Sequence, residues 1–310
     1  MMDALKFARI AHILICPTCR GDLIQRGEWT RNNLVLACDA CQQEYPVRQG
    51  AVHFIAPVRT QDSLDGMKYH LKRLLGPLYY RLIRPAVSPS FPYNTRGYLL
   101  KSCRPREEIV LDLGSGNLQI HPDVYAIDVV DYAAVDIVCS IHQLPFRTDT
   151  VAMLLTNNVM EHIPHVHQAW QEIQRVTRPG GDNVHVVPFL YPFHASPDDF
   201  QRYTHAGLAH LFPEWQVIRQ ITVAGPLSLF NAVMTEFFSI LLSFGQQKLR
   251  GILYLLLCLP LAPLKFLDIF FVGHKQFISL AATILIHLRK PAARETDIKP
   301  LSTAGSHGIE

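Results

Sequence analysis

Residues 109–128 constrain this chain more than any other stretch. Ile109-Val110-Leu111-Asp112-Leu113 is a short apolar run that passes straight into Gly114-Ser115-Gly116. A second run, 124–128, ends in Asp128, sixteen residues after Asp112. Glycines directly after a strand let a ligand approach the backbone and allow a tight turn into a helix. A carboxylate at the end of the neighbouring strand can hold ribose hydroxyls. A lone Gly-x-Gly decides little, but here the pattern continues. Residues 135–138, 151–155 and 184–189 read as three more strands. Val166, Ala169, Trp170, Ile173 and Val176 mark a helix ended by Pro179-Gly180-Gly181. Strands alternating with helical segments predict an α/β, doubly wound sheet.

Taken together, Val110 to Gly116, then Asp128, Leu144-Pro145-Phe146, Glu161-His162-Ile163 and Arg175-Val176-x-Arg178-Pro179-Gly180-Gly181 resemble the class I S-adenosylmethionine-dependent methyltransferases, type 11-like. The resemblance covers about residues 106–223. It implies a Rossmann-like sheet with S-adenosylmethionine at the carboxyl ends of the first strands. Asp112, Gly114, Ser115 and Gly116 would lie by its methionine part. Asp128, with Val129 beside it, would bind the ribose, and Ser140, Ile141 and Asn157 would complete the cofactor site. Three positions depart from the family. Its third glycine is Leu118, the acid before Leu-Pro-Phe is Ser140, and the acid of the fourth strand is Ala152.

Past the fifth strand, Tyr191-Pro192-Phe193-His194 and Pro197-Asp198-Asp199-Phe200-x-Arg202-Tyr203 resemble a substrate-side loop of the same family. Tyr191, Asp199, Arg202 and Tyr203 are the expected substrate-lining residues. His194 is the expected catalytic base, since imidazole suits proton removal from a hydroxyl near neutral pH. The alternative for this loop is that His194 and Asp199 pair with Arg202 to stiffen it. His162 reads as structural or cofactor-adjacent.

Four of the seven cysteines form two pairs, Cys16/Cys19 and Cys38/Cys41, with eighteen residues between them. Each C-x-x-C turn aims two thiolates at one point, and two turns complete a tetrahedron around Zn²⁺. Four protein thiolates leave no open position, so the zinc is structural. With Cys16-Pro17-x-Cys19 and Tyr45-Pro46-Val47, residues 12–57 resemble the zinc-ribbon family of small methyltransferase activators, which implies a possible protein partner. The isolated Cys103, Cys139 and Cys258, and an N-terminus broken by Asp3, Lys6 and Arg9, point to a cytoplasmic protein without a secretory signal.

At 310 residues, 49% hydrophobic and net +3, the chain has length for about two domains and is too apolar for disorder. The expected division is 1–57 ribbon, 58–105 basic helical linker, 106–223 methyltransferase core, 224–276 apolar helical insertion, 277–291 final core strand and 292–310 disordered tail. In the linker, Leu71, Leu74, Leu75, Leu78 and Leu82 keep a helical spacing between basic residues. That helix faces either an anionic membrane or the next domain. The insertion holds few charges, and Gly225-Pro226, Gly245, Pro260 and Pro263 are expected to break it into short helices. Such apolar helices sit on a bilayer, pack as a protein cap or dimer, or span a membrane. The leading function is methyl transfer to a small or lipid-linked acceptor at the inner face of a membrane. The alternative is a degraded methyltransferase scaffold whose ribbon binds a protein. A nucleic-acid substrate is disfavoured by the apolar C-terminal third.

Overall fold

The computed structural model describes residues 2–29, 33–58, 88–193 and 198–292. The expected linker helix around Leu71–Leu82, the base candidate His194 and the tail from 293 lie outside the described residues.

Helix α1 (Ala4–Ala11) opens the chain, capped by the Asp3 side chain, which accepts from the Lys6 N–H. A small antiparallel set follows: β1 (Leu23–Arg26), β2 (Val35–Cys38), β3 (Glu44–Arg48) and β4 (Ala51–His53). Then come α2 (Thr95–Ser102), β5 (Val110–Leu113), β6 (Tyr125–Asp128), β7 (Ile137–Val138), β8 (Val151–Asn157), α3 (Val166–Val176), β9 (Thr177–Pro188), α4 (His205–His210) and β10 (Gln216–Ala224). Two long helices, α5 (Pro226–Ser243) and α6 (Gln247–Lys265), precede β11 (Thr283–Arg289).

Among the described residues all eleven strands join in one sheet of order β1-β2-β3-β4-β7-β6-β5-β8-β9-β11-β10. Strands β7, β6, β5, β8 and β9 run parallel, and their near-continuous apolar runs suit burial on both faces. Alternation sends Leu111, Leu113, Tyr125 and Ile127 to one core, and Val110, Met153 and Leu155 to the other. The ribbon is part of this sheet, because β4 pairs parallel with β7, Val52 opposite Ile137.

The structure corrects four expectations. No helix follows the glycine turn: residues 114–124 join β5 to β6 through turns alone, and eleven residues are too few for a helical crossover. Helix α1 covers that face instead, with Phe7 and Ile10 buried in the same core as Leu113 and Ile127. Second, α3 ends at Val176, and Pro179-Gly180-Gly181 bulge out within β9, where pairing skips from Val151–Thr177 to Met153–Asp182. Third, Pro260 and Pro263 do not break α6. Their fixed φ is helical, each removes one N–H only, and Asn231 of α5 donates to the Leu261 carbonyl at 2.9 Å beside them. Fourth, the last strand starts at Thr283, because Lys275–Leu280 is a 3-10 turn with Phe277 packed on Phe271, 4.7 Å between ring centres.

Candidate functional site

The parallel strands place their carboxyl ends on one edge of the sheet. Gly114 and Gly116 there have φ of +71° and +59°, left-handed values that favour glycine. A Cβ on Gly114 would meet Val159 at 2.4 Å, whereas one on Gly116 would meet nothing within 4 Å. The turn is therefore tight against the segment after β8 and open outward at Gly116. Asp128, at the end of β6, closes this turn: its Oδ2 accepts from Gly116 N–H at 2.8 Å and its Oδ1 from Val130 N–H at 3.0 Å. The carboxylate keeps acceptor capacity beyond these bonds.

Asp112 is buried at the end of β5. Burial first, then the nearby charge of Asp128, pushes its pKa up to about 8. Asp128 is also raised by burial, against the lowering effect of the Val130, Gly116 and Val129 N–H groups. Ser140 Oγ accepts from the His142 N–H at 3.2 Å in the turn after β7, and Ile141 is buried beside it. Asn157 ends β8 exposed, and Val129 and Ser115 are half-buried. The residues expected at the cofactor thus share one edge.

On the far side of that edge, Arg202 pairs in a fork with Asp199, the stiffening arrangement, and Arg202 also donates to the Pro192 carbonyl. Tyr203 sits against Trp170, 6.3 Å between ring centres. Tyr191 is half-buried, its pKa raised by burial.

The four cysteine sulfurs lie within 4.8 Å of one another. Sγ–Sγ distances of 3.6 Å for Cys16–Cys41 and 3.4 Å for Cys19–Cys38 approach the roughly 3.8 Å edge of a tetrahedron built on 2.3 Å zinc–sulfur bonds. The donor set fits a tetrahedral metal. Tyr45 supports it, its hydroxyl 2.9 Å from Cys16 Sγ. Gly21 makes room for it, since a Cβ there would stand 3.1 Å from Cys38 Sγ and 3.3 Å from Cys19 Sγ.

Helices α5 and α6 also belong to the edge that bears the glycine turn. Pro188 ends β9 opposite Thr283, and Thr283 lies opposite Ala224, so β10 ends and β11 begins on the same side as the glycine turn. The helix pair rises from there. Its residues are distributed inside out. Ser228, Asn231, Thr235, Ser239 and Ser243 form the buried stripe of α5, at helical spacing. The exposed positions are large and apolar, among them Phe237 (53%), Leu241 (55%) and Leu256 (57%). Pro226–Ser243 and Gln247–Phe270 are each long and apolar enough to cross a membrane.

Residues 101–184 match the family described as Methyltransferase domain. The chain carries a methyltransferase domain. Residues 8–50 match the Trm112p-like protein family, so the four-cysteine segment and the methyltransferase domain are similar to two separate families. Over 38 residues the chain is 53% identical to an uncharacterized methyltransferase of Mycobacterium avium (strain 104) and to one of Mycobacterium marinum. That match covers 12% of this chain and 15% of each relative. Among solved structures, the chain is similar to phosphoethanolamine N-methyltransferase 2 of Haemonchus contortus in complex with S-adenosyl-L-methionine. The identity is 14%, over 80% of this chain and 62% of that one, with a TM-score of 0.43. It is also similar to a putative sarcosine dimethylglycine methyltransferase from Galdieria sulphuraria, at 12% identity over 74% of this chain and 99% of that one, with a TM-score of 0.44.

Sequence reasoning missed several groups around the methyltransferase domain. Gly21 and Lys6 carried no local signal. Asp268 did: it is one of only two acids between residues 221 and 290, and an acid in so apolar a stretch must be satisfied. It is, by the N–H groups of Gly225, Leu227 and Ser228.

Proposed function

We propose that this protein transfers a methyl group from S-adenosylmethionine to a lipid-linked or otherwise amphipathic acceptor at a membrane surface. The observation that carries this reading is that an inside-out helix pair rises from the edge of the sheet that bears the glycine turn. In water a helix exposes its polar face and buries its apolar one. Here α5 buries serines, an asparagine and a threonine and exposes phenylalanines and leucines. Small and polar residues facing a neighbouring helix, with apolar residues outward, suit a lipid surround. Lys248 stands near the tip, where a cationic side chain reaches headgroups, while Arg250 pairs with Glu236 of α5. With the pair in a bilayer, the crevice faces the membrane and an acceptor held there meets the methyl donor without leaving it.

When bound, S-adenosylmethionine would supply a methyl group on a sulfonium. The chain's part is alignment and water exclusion. Asp128 would take the ribose hydroxyls on its remaining acceptor capacity. Gly114, Ser115, Gly116 and Asp112 would receive the methionine end, with Ser140, Ile141, Val129 and Asn157 around the rest. Zinc held by Cys16, Cys19, Cys38 and Cys41 would keep the ribbon folded. A protein partner for the ribbon is compatible with the exposed edge of β1.

A second reading, a scaffold that does not turn over, is favoured by the missing helix after the glycine turn. Calorimetric titration with S-adenosylmethionine separates the two. The membrane part is tested by flotation of the intact protein with phosphatidylglycerol-containing vesicles, beside a Phe237→Glu/Leu241→Glu variant. The intact protein should float and the variant should not. An intact protein that stays soluble and monomeric without lipid or detergent defeats the membrane reading, and a protein-packed cap replaces it.

A further inference from the structure

Helices α5 and α6 are apolar on every open side. On α5 every exposed residue is apolar. Val233 and Ile240 mark one limit of the exposed arc, Phe237 and Leu241 its middle, and Phe238 and Leu242 the other limit. At ~3.6 residues per turn these positions sweep about 200° of the helix, and the buried polar stripe takes the remainder. On α6 every exposed residue beyond Lys248 is apolar as well. A helix that lies along a bilayer keeps a strongly polar face towards water. This pair presents no such face, so no side of it suits the aqueous phase.

The helices run antiparallel: Asn231 donates to the Leu261 carbonyl at 2.9 Å, and Arg250 pairs with Glu236. They form a hairpin whose turn, 244–246, is farthest from the sheet. Polar groups gather at its two ends. At the base, Asp268 caps α5, and buried Lys265 donates to the Ser88 carbonyl. His274, Lys275 and Gln276 are exposed there, just after the Gly273 N–H, which donates to Thr222 of β10 at 3.1 Å. At the tip, Gln246, Gln247 and Lys248 are exposed.

The charged residues from Pro226 to Lys265 are Glu236, Lys248, Arg250 and Lys265. Lys248 and Lys265 stand at the ends. Glu236 and Arg250 neutralise each other across the pair, the form in which ionisable side chains are kept inside a membrane. Helix α5 has 18 residues, so the two polar ends stand about 27 Å apart at ~1.5 Å per residue. The hydrocarbon core of a bilayer is about 30 Å thick. An apolar sleeve of that height, closed by polar groups at both ends, matches the full thickness of the core and not one interface.

We propose that α5 and α6 cross the bilayer completely, with the 244–248 turn in the water on the far side and the whole sheet on the near side. This rests on the membrane part of the reading above and goes beyond it, because the chain is then an integral protein and not one resting on a surface. The base of the hairpin is the level of the near headgroups. The glycine turn shares that edge of the sheet.

The test uses the full chain with two copies of one protease site, inserted between Gly245 and Gln246 and appended after Glu310. The protein is reconstituted into sealed vesicles of phosphatidylglycerol and phosphatidylcholine and floated. Protease is supplied outside only in one preparation and sealed inside only in another. With protease on one side, each chain should lose one site or the other and never both, whichever way round it inserted. Detergent should expose both sites in every chain. Chains cut at both sites from one side overturn the proposal and leave the pair on a single surface. A 245 site that is cut from neither side, and only in detergent, also overturns it, since the tip then ends inside the core. Should the insertion itself prevent flotation, Gln246→Cys takes its place. An impermeant maleimide added outside should then label it, above the unsubstituted chain, only in chains whose tail site survives outside protease; labelling in chains that lose the tail site overturns the proposal. Wild-type protein that stays soluble and monomeric and does not float defeats the membrane reading itself, a result separate from either pattern of cleavage.

Discussion

Lys6 drives its ammonium into the base of the sheet, where Nζ lies 2.6 Å from Asp136 Oδ2 and 2.7 Å from the Val124 carbonyl oxygen, with both side chains buried. The carboxylate also accepts from the Ala126 N–H at 2.9 Å, and Tyr125 returns a bond from its hydroxyl to the Lys6 carbonyl at 2.9 Å. These contacts fasten α1 beneath β6, where the short β5–β6 connection leaves no crossover helix. Removing one partner leaves a buried charge uncompensated. Lys6→Met should therefore cost about 3–5 kcal/mol in chemical denaturation, and loss of under ~1 kcal/mol would mean that α1 is dispensable to the sheet.

Metal and sheet are linked through β4. Gly21→Val puts a branched side chain against Cys38 and Cys19, so elemental analysis should find zinc reduced or absent. Because β4 is a strand of the methyltransferase sheet, a chelator should lower the melting temperature of the whole chain. A separate early transition with an unmoved main one would show the ribbon to be an independent unit.

Asp268 caps α5 with a carboxylate: its Oδ2 accepts from the N–H groups of Gly225 and Ser228 and its Oδ1 from Leu227, at 2.9–3.0 Å. A negative charge at a helix N-terminus is favourable, and charge-assisted bonds are the stronger ones. Asp268→Ala strands three buried donors and should cost about 2–4 kcal/mol. Unfolding in detergent micelles, with and without the substitution, measures it.

A pH signature follows from Asp112. The fold holds its proton more tightly than the unfolded chain does, up to about pH 8 against roughly 3.9. Its contribution to stability is therefore complete below the unfolded value and is lost as the pH rises towards 8. Asp112→Asn keeps the shape without the charge. The melting temperature of the ligand-free variant minus that of wild type should grow from pH 5 to pH 8. A difference that is flat with pH would mean that Asp112 is ionised throughout.

The strand pattern, the glycine turn and the cysteine pairs were legible because each is a local repeat with a fixed spacing. The apolar character of 224–276 was legible too, but its continuity through Pro260 and Pro263 was not. A proline's cost depends on which carbonyls it frees, here those of Leu256 and Leu259, and on the packing of α6 against α5, which local sequence does not show. The loss of the helix after Gly116 was readable in principle: eleven residues between two strands leave no room for one. That α1 fills the gap was not, since Lys6 and Asp136 are 130 positions apart. Glu161 stood in a recognised motif, yet its complete burial shows only in the fold.

Under the proposed function Asp128 would carry two duties, and they can be separated. Its oxygens hold the Gly116 and Val130 N–H groups, and under the proposed function its remaining acceptor capacity would serve the ribose hydroxyls. Asp128→Ala should weaken S-adenosylmethionine by about 2–4 kcal/mol, the scale of a charge-assisted pair of bonds, read as Kd by calorimetry. Part of that loss would come from a loosened glycine turn, and ligand-free stability should fall as well. Asp128→Asn discriminates. Its amide keeps one acceptor oxygen and turns the other position into a donor, which opposes a backbone N–H but can still meet a hydroxyl. If ribose binding dominates, asparagine should retain more affinity than alanine despite equal or lower ligand-free stability. If holding the turn dominates, affinity and stability should fall together in both variants. An unchanged Kd in both would place the cofactor away from β6.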